Sequence, residues 1–256
     1  MYARQLPARH GVLWLIAGFQ LYRRNPPMLV GLTFSYLMLV IVTNLIPGIG
    51  PFLLPMLLPA LTAMLGNGCR AIENGRVLTP PVMVEGIVLQ RVGMIRLGGL
   101  HLLGSSLLVL VSYAIGTKID LSEGMNEEQA VAILKELAVI LTLASPLLMA
   151  FWFAPLLTLW DDVPAAKSVF FSFIASWRNW RPFAMYTLAV MVVGVVVPGL
   201  VLVLVSFVSG ALVNVLSVAM RMLLIFVLAP VLVASVYLSY RDVFHTPQLD
   251  ILVTDE

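Results

Sequence analysis

FAMYTLAVMVVGVVVPGLVLVLVSFVSGALVNVLSVAMRMLLIFVLAPVLVASVYLSY, residues 183–240, contains a single charged side chain, Arg221. An α-helix rises about 1.5 Å per residue, so as one helix this stretch would far exceed a hydrocarbon core of ~30 Å. It reads as two crossings joined by a turn, and the most polar interruption, residues 206–214 around Gly210, is where the turn is expected. The rest of the chain has the same character. Of its 256 residues, 61% are hydrophobic and 11% charged, with a mean hydropathy of +1.01. Soluble domains carry about 25% charge, so this chain has too few polar groups to cover a water-facing surface. That excludes a cytosolic enzyme, a nucleic-acid module and a disordered regulator. The fold class is an all-α integral membrane protein.

Four more spans are read outward from this stretch. Residues 28–46 follow Arg23 and Arg24 and end at a Pro-Gly-Ile-Gly-Pro turn, after which 51–66 form a proline-rich second span. Residues 97–116 and 138–160 flank a short acidic loop. With 183–205 and 215–240 this makes six crossings in one transmembrane domain, residues 1–256, and a short tail, 241–256. The first apolar stretch lacks a small-residue cleavage site and is long enough to span, so it reads as a retained anchor.

Sidedness follows from Lys and Arg, which are held in cytoplasmic loops. Arg4, Arg9, Arg23, Arg24, Arg70, Arg76, Arg91, Arg96, Lys167, Arg178, Arg181 and Arg241 fall on one side, twelve of the fifteen basic residues, against Lys118 and Lys135 on the other. Both termini are therefore expected in the cytoplasm. The single cysteine, Cys69, makes an intrachain disulfide impossible.

Three segments that precede paired spans resemble one another. Residues 9–24 place Val12, Leu15, Ile16, Phe19 and Tyr22 at helical spacing and end in Arg23-Arg24-Asn25-Pro26. Residues 165–181 set Ser168, Ser172 and Ser176 on one face and Phe170, Phe173, Ile174 and Trp177 on another, ending in Arg178-Asn179-Trp180-Arg181-Pro182. Residues 82–96 are a weaker copy. The second span of each pair carries Pro59, Pro155 or Pro230 after a small or apolar residue. A proline at such depth removes a backbone hydrogen bond, which lipid tolerates only if neighbouring protein satisfies the freed groups. The expected architecture is three transmembrane hairpins, each preceded by a cytoplasmic interfacial amphipathic helix. The plainer reading is that aromatic, basic and proline residues collect at any membrane boundary.

Chemistry-bearing residues are sparse. His10, His101 and His245 lie far apart, without the helix-face spacing of metal ligands, and neither a nucleophile motif nor a phosphate loop is present. Asp161-Asp162 could hold a divalent ion, but two Asp just before a helix with Pro164 in its first turn are better read as an N-terminal cap. Polar residues assigned to spans are Asn44, His101, Asn214 and Arg221. Arg221 is expected to snorkel outward; if it is buried instead, the nearest acid is Glu136. Arg221, Glu136 and His101 are therefore carried forward as a possible buried polar site, and Arg23, Arg24, Arg178 and Arg181 as lipid head-group contacts. No metal or other cofactor is expected.

Ser145-Pro146-Leu147-Leu148 through Pro155, then Asp161-Asp162 and residues 168–182, together with Pro7-Ala8-Arg9, Trp14, Gly18-Phe19 and Arg24-Asn25-Pro26, resemble an uncharacterised family of bacterial six-span inner-membrane proteins. That family is distantly similar to the membrane domain attached to glycerophosphodiester phosphodiesterases. The resemblance implies six helices in a bacterial inner membrane. It implies no activity, since this chain carries no soluble phosphodiesterase domain. The leading functional expectation is a non-enzymatic scaffold binding membrane phospholipid, anionic in particular, or another membrane protein, with no nucleic acid involved. The alternative is a small transporter of an apolar or amphiphilic solute.

Overall fold

Asn25 ends the first helix, α1 (His10–Arg24), and caps the second, α2 (Pro26–Asn44), its side chain accepting the Met28 N–H at 3.3 Å. Prolines in a first helical turn lack an N–H that would have no partner anyway, so Pro26-Pro27 opens a helix rather than breaking one. The computed structural model describes residues 3–115 and 127–245, and every regular element among them is helical. A turn with Gly48 at φ +74° leads into α3 (Gly50–Glu73). There follow α4 (Pro80–Met83), α5 (Arg91–Ile115), α6 (Glu127–Trp152), α7 (Ala154–Trp160), α8 (Ala165–Arg178), α9 (Trp180–Met191), α10 (Val197–Ser206), α11 (Gly210–Leu223) and α12 (Ala229–Phe244). π-Helical turns, Val192–Val196 and Leu224–Leu228, join α9 to α10 and α11 to α12.

Among the described residues six stretches are long and apolar enough to cross a membrane: Pro26–Asn44, Gly50–Glu73, Arg91–Ile115, Lys135–Trp160, Trp180–Ser206 and Gly210–Phe244. The helices run past the apolar stretches at their charged ends, so that Arg91 and Arg96 are helical in α5 and Arg241 lies in α12. Residues 246–256 of the tail and 116–126 of the acidic loop, Lys118 among them, lie outside the described residues, whereas residues 127–137, expected in that loop, are helical in α6.

α1 packs on α12 and α9, α2 on α3, α3 on α5, α6 on α8, and α10 on α11. The α1–α12 contact is close because Gly18 carries no side chain: a Cβ there would sit 2.6 Å from Ser235 Oγ and 2.7 Å from the Val231 carbonyl oxygen. Trp14, 0% exposed, is the largest fully buried side chain. Among the described residues the core falls into three clusters, and Trp160, at the end of α7, packs against all of them.

Three local expectations change. Residues 82–96 do not form an amphipathic helix: Pro80-Pro81 starts α4, but Gly86 at φ +76° stops any continuation, and the chain turns until Arg91. That backbone region suits glycine and ends helices. The turn expected at 206–214 is confined to 207–209, so Asn214 lies inside α11. The Asp161-Asp162 pair does not cap the helix after it: Pro164 occupies the N-cap of α8 and no side chain caps it.

Candidate functional site

The last turns of α12 place Tyr237, Tyr240 and Arg241 three and four residues apart, on neighbouring strips of the helix surface. Glu73, at the end of α3, accepts from both the Tyr237 hydroxyl and the Arg241 guanidinium. The Arg241 and Glu73 side chains are 17% and 21% exposed, so the pair is largely removed from water. Asp161, just past α7, accepts from the Tyr240 hydroxyl and lies 3.8 Å from His245 Nε2. Asp242, 1% exposed, accepts the indole N–H of Trp14 at 3.0 Å. A buried carboxylate is costly unless hydrogen-bonded and paired; each acid here is held by groups from another helix.

Two asparagines tie loops to this end of the bundle. Asn67 donates to the Met83 and Glu85 carbonyls, at 3.0 and 2.9 Å, and accepts the Trp160 indole N–H at 3.0 Å. Arg70 lies 5.3 Å over the Trp160 ring. Asn179, between α8 and α9, accepts the Leu6 N–H and donates to the Arg4 and Ala175 carbonyls, all at 2.9 Å. The Trp-Arg-Asn-Trp-Arg motif thus holds the N-terminal segment. The neighbouring Asp162 accepts from Gln90.

An apolar cavity of about 380 Å³ opens beside the cluster, between Tyr36 of α2, Thr62 of α3, Tyr186 and Val190 of α9, and Val233 and Tyr237 of α12. Tyr237 belongs to both features, since it lines the cavity and its hydroxyl meets Glu73. A second cavity, about 440 Å³, lies between α5 and α6 and is lined by Gly104, Pro146 and Phe151 among others. Among the described residues no group of His, Cys, Asp and Glu side chains is placed to hold a metal ion.

The residues singled out from sequence fall in separate places. Arg23 and Arg24 are exposed at the end of α1, and Arg24 reaches the cluster, donating to the Glu73 carbonyl at 3.1 Å. Arg178 is half-buried at the end of α8; Arg181 is exposed, its guanidinium 5.6 Å over the Trp180 ring. His101 is half-buried on α5, edge-on to Phe151 with centroids 4.6 Å apart. Arg221 is exposed on α11, Glu136 is half-buried on α6, and neither belongs to an ion pair among the described residues. Sequence reasoning missed Glu73, Asp242 and the two tyrosines by treating the acids as loop and tail charges. The available signal was the three- and four-residue spacing of Tyr237, Tyr240 and Arg241, which continues α12 beyond its apolar part.

Six membrane-length helices around a small core define a multi-pass membrane protein. The chain is 31% identical, over 94% of its length and 93% of the relative's, to a probable inner membrane protein of Burkholderia thailandensis, and it belongs to that protein's family in the bacterial inner membrane. No model of a protein family matches the chain, and no solved structure does.

Proposed function

We propose that the protein is a non-enzymatic lipid-binding scaffold of the inner membrane, with both termini in the cytoplasm, recognising anionic phospholipid from the cytoplasmic leaflet. The observation that carries this reading is the outward face of α8. Phe170 and Trp177, 59% and 62% exposed, stand with Ile174 and the following Trp180 away from the bundle, while Ser168, Ser172 and Ser176 on the opposite face are buried. Aromatic rings settle at head-group depth, and basic residues near an anionic surface contribute about 1 kcal/mol each. Arg178 and Arg181 stand beside this row, as Arg23 and Arg24 stand at the end of α1. In this reading α2 with α3, α5 with α6, and the α9–α10 helix with the α11–α12 helix are transmembrane hairpins.

Replacing Arg178 and Arg181 together by Gln is expected to lower copurification of acidic phospholipid while leaving expression and fold intact; an unchanged lipid content would reduce both to orientation signals. Reporter fusions check the orientation. A fusion after Met125 should work only with a periplasmic reporter, and fusions after Pro164 and Glu256 only with a cytoplasmic one. A second reading, transport of an amphiphilic solute, is favoured by the two π-helical turns, because interrupted helices occur at transporter sites. It requires solute uptake into vesicles that responds to a proton gradient.

A further inference from the structure

We infer that the cavity between α2, α3, α9 and α12 holds one acyl chain of an anionic phospholipid drawn from the surrounding leaflet, with its phosphate on Arg24 and Arg70. This rests on the proposal that Arg24, at the end of α1, meets anionic head groups of the cytoplasmic leaflet, and it names a second, intramembrane site apart from the α8 surface. Protein interiors rarely keep voids larger than a water molecule, whereas about 380 Å³ lies in the range of built ligand sites. Its walls are mostly apolar, and the hydroxyl-bearing residues among them are Tyr36, Thr62, Tyr186, Thr187 and Tyr237. The only abundant apolar matter beside a membrane-embedded opening is lipid chain.

Depth selects a single leaflet. Tyr36 lies ten residues into α2, about 15 Å from its start at 1.5 Å per residue, which is half of a ~30 Å core. A slot of that reach suits one chain entering from the cluster end. Charge selects the head group. The chain slot and the basic rim are joined through named contacts: Tyr237 lines the slot, its hydroxyl meets the Glu73 carboxylate, and the Glu73 carbonyl accepts from Arg24. Arg70 is three residues before Glu73 on α3 and is exposed. Arg241 already matches the Glu73 charge, and no ion pair among the described residues involves Arg24 or Arg70. Arg70 lies over the Trp160 ring, whose centroid is 5.9 Å from that of Tyr237, so Arg24 and Arg70 both border residues joined to the slot.

Native mass spectrometry of the full chain, titrated with phosphatidylglycerol or phosphatidylcholine, tests the site. One tightly held phosphatidylglycerol per chain is expected. Val190→Trp, which fills the slot from α9, should weaken it at least tenfold. Arg24→Gln with Arg70→Gln should cost about tenfold for phosphatidylglycerol and little for phosphatidylcholine. Arg178→Gln with Arg181→Gln should remove the weaker, additional phosphatidylglycerol adducts that the α8 surface holds and leave the first, tightly held one in place. A tight lipid unaffected by the slot and rim changes but lost with Arg178 and Arg181 would overturn the slot and leave the scaffold proposal standing; lipid binding indifferent to all of them would overturn both. Because Val190→Trp could disturb folding, wild-type protein is also cross-linked with a phospholipid carrying a diazirine at its chain end. Labels at the slot positions of α9 and α12 are expected, and labels confined to α10 and α11 would overturn the site.

Discussion

Arg241 is the residue on which the polar cluster closes. It meets Glu73 on α3, and its Nη2 lies 4.0 Å from Asp242 Oδ1, the carboxylate that also holds Trp14. Removing one member of a mostly buried pair strands the other, at a cost of about 3 kcal/mol. Arg241→Met is therefore expected to lower the thermal unfolding temperature in detergent sharply. Adding Glu73→Gln removes the stranded charge, so the double variant should be more stable than Arg241→Met alone. A double variant that loses the full sum of the two single changes would show that the residues act independently. The pair was not legible in the sequence because both members sit where apolar spans give way to charge. At such positions composition says only that the membrane has ended, and not which of the charged groups turn inward. Asn179 shows the opposite case: its motif was visible, but its partners at Leu6 and Arg4 are more than 170 residues away and no local pattern encodes them.

At the scale of the element, the break between α6 and α7 explains the serine face of α8. Pro155 sits in the first turn of α7 and the helix is interrupted at Phe153. In a continuous helix the Phe153 N–H would donate to the Met149 carbonyl four residues earlier. Here Ser172 stands between them: its hydroxyl accepts the Phe153 N–H at 2.9 Å and donates to the Met149 carbonyl at 2.8 Å, with Ser176 adding a second donor to Met149 at 3.2 Å. The neighbouring helix thus supplies the hydrogen bonds that the break removed, as a proline at this depth requires. Ser172→Ala leaves a buried N–H without an acceptor and is expected to cost about 1–3 kcal/mol of stability. Ser176→Ala should cost less, since Ser172 still serves Met149; equal losses in thermal unfolding would contradict this division of labour. The sequence showed the Ala-Pro pair and the serine stripe separately. Periodicity tells which side chains share a face, and not what that face meets. Pro198 and Pro230 are handled differently, by π-helical turns in which the residue before each proline donates five residues back, Val197 to Val192 and Ala229 to Leu224.

Across the whole molecule, six spans were legible because a bilayer imposes length and composition together, and both can be read from a single chain. The threefold repeat is visible only in part. α1 and α8 each end at an Asn that also begins the next helix, Asn25 and Asn179, whereas residues 82–96 are broken by Gly86. The same length argument places Arg221. Twenty residues separate it from Arg241, about 30 Å along α11 and α12, the thickness of the hydrocarbon core. If Arg241 marks the boundary on the cluster side, Arg221, which is exposed, is expected at the opposite boundary, within reach of water or lipid phosphate. Lysine can make the same excursion, so Arg221→Lys should be nearly silent in thermal unfolding and Arg221→Leu mild. If Arg221 instead completed a buried pair with Glu136 across α11 and α6, Arg221→Leu and Glu136→Gln would each cost about 3 to 5 kcal/mol, and the double change less than their sum. A large loss of that non-additive kind would overturn the boundary placement and move the polar site of this protein to Arg221 and Glu136 on α11 and α6, away from Glu73 and Arg241.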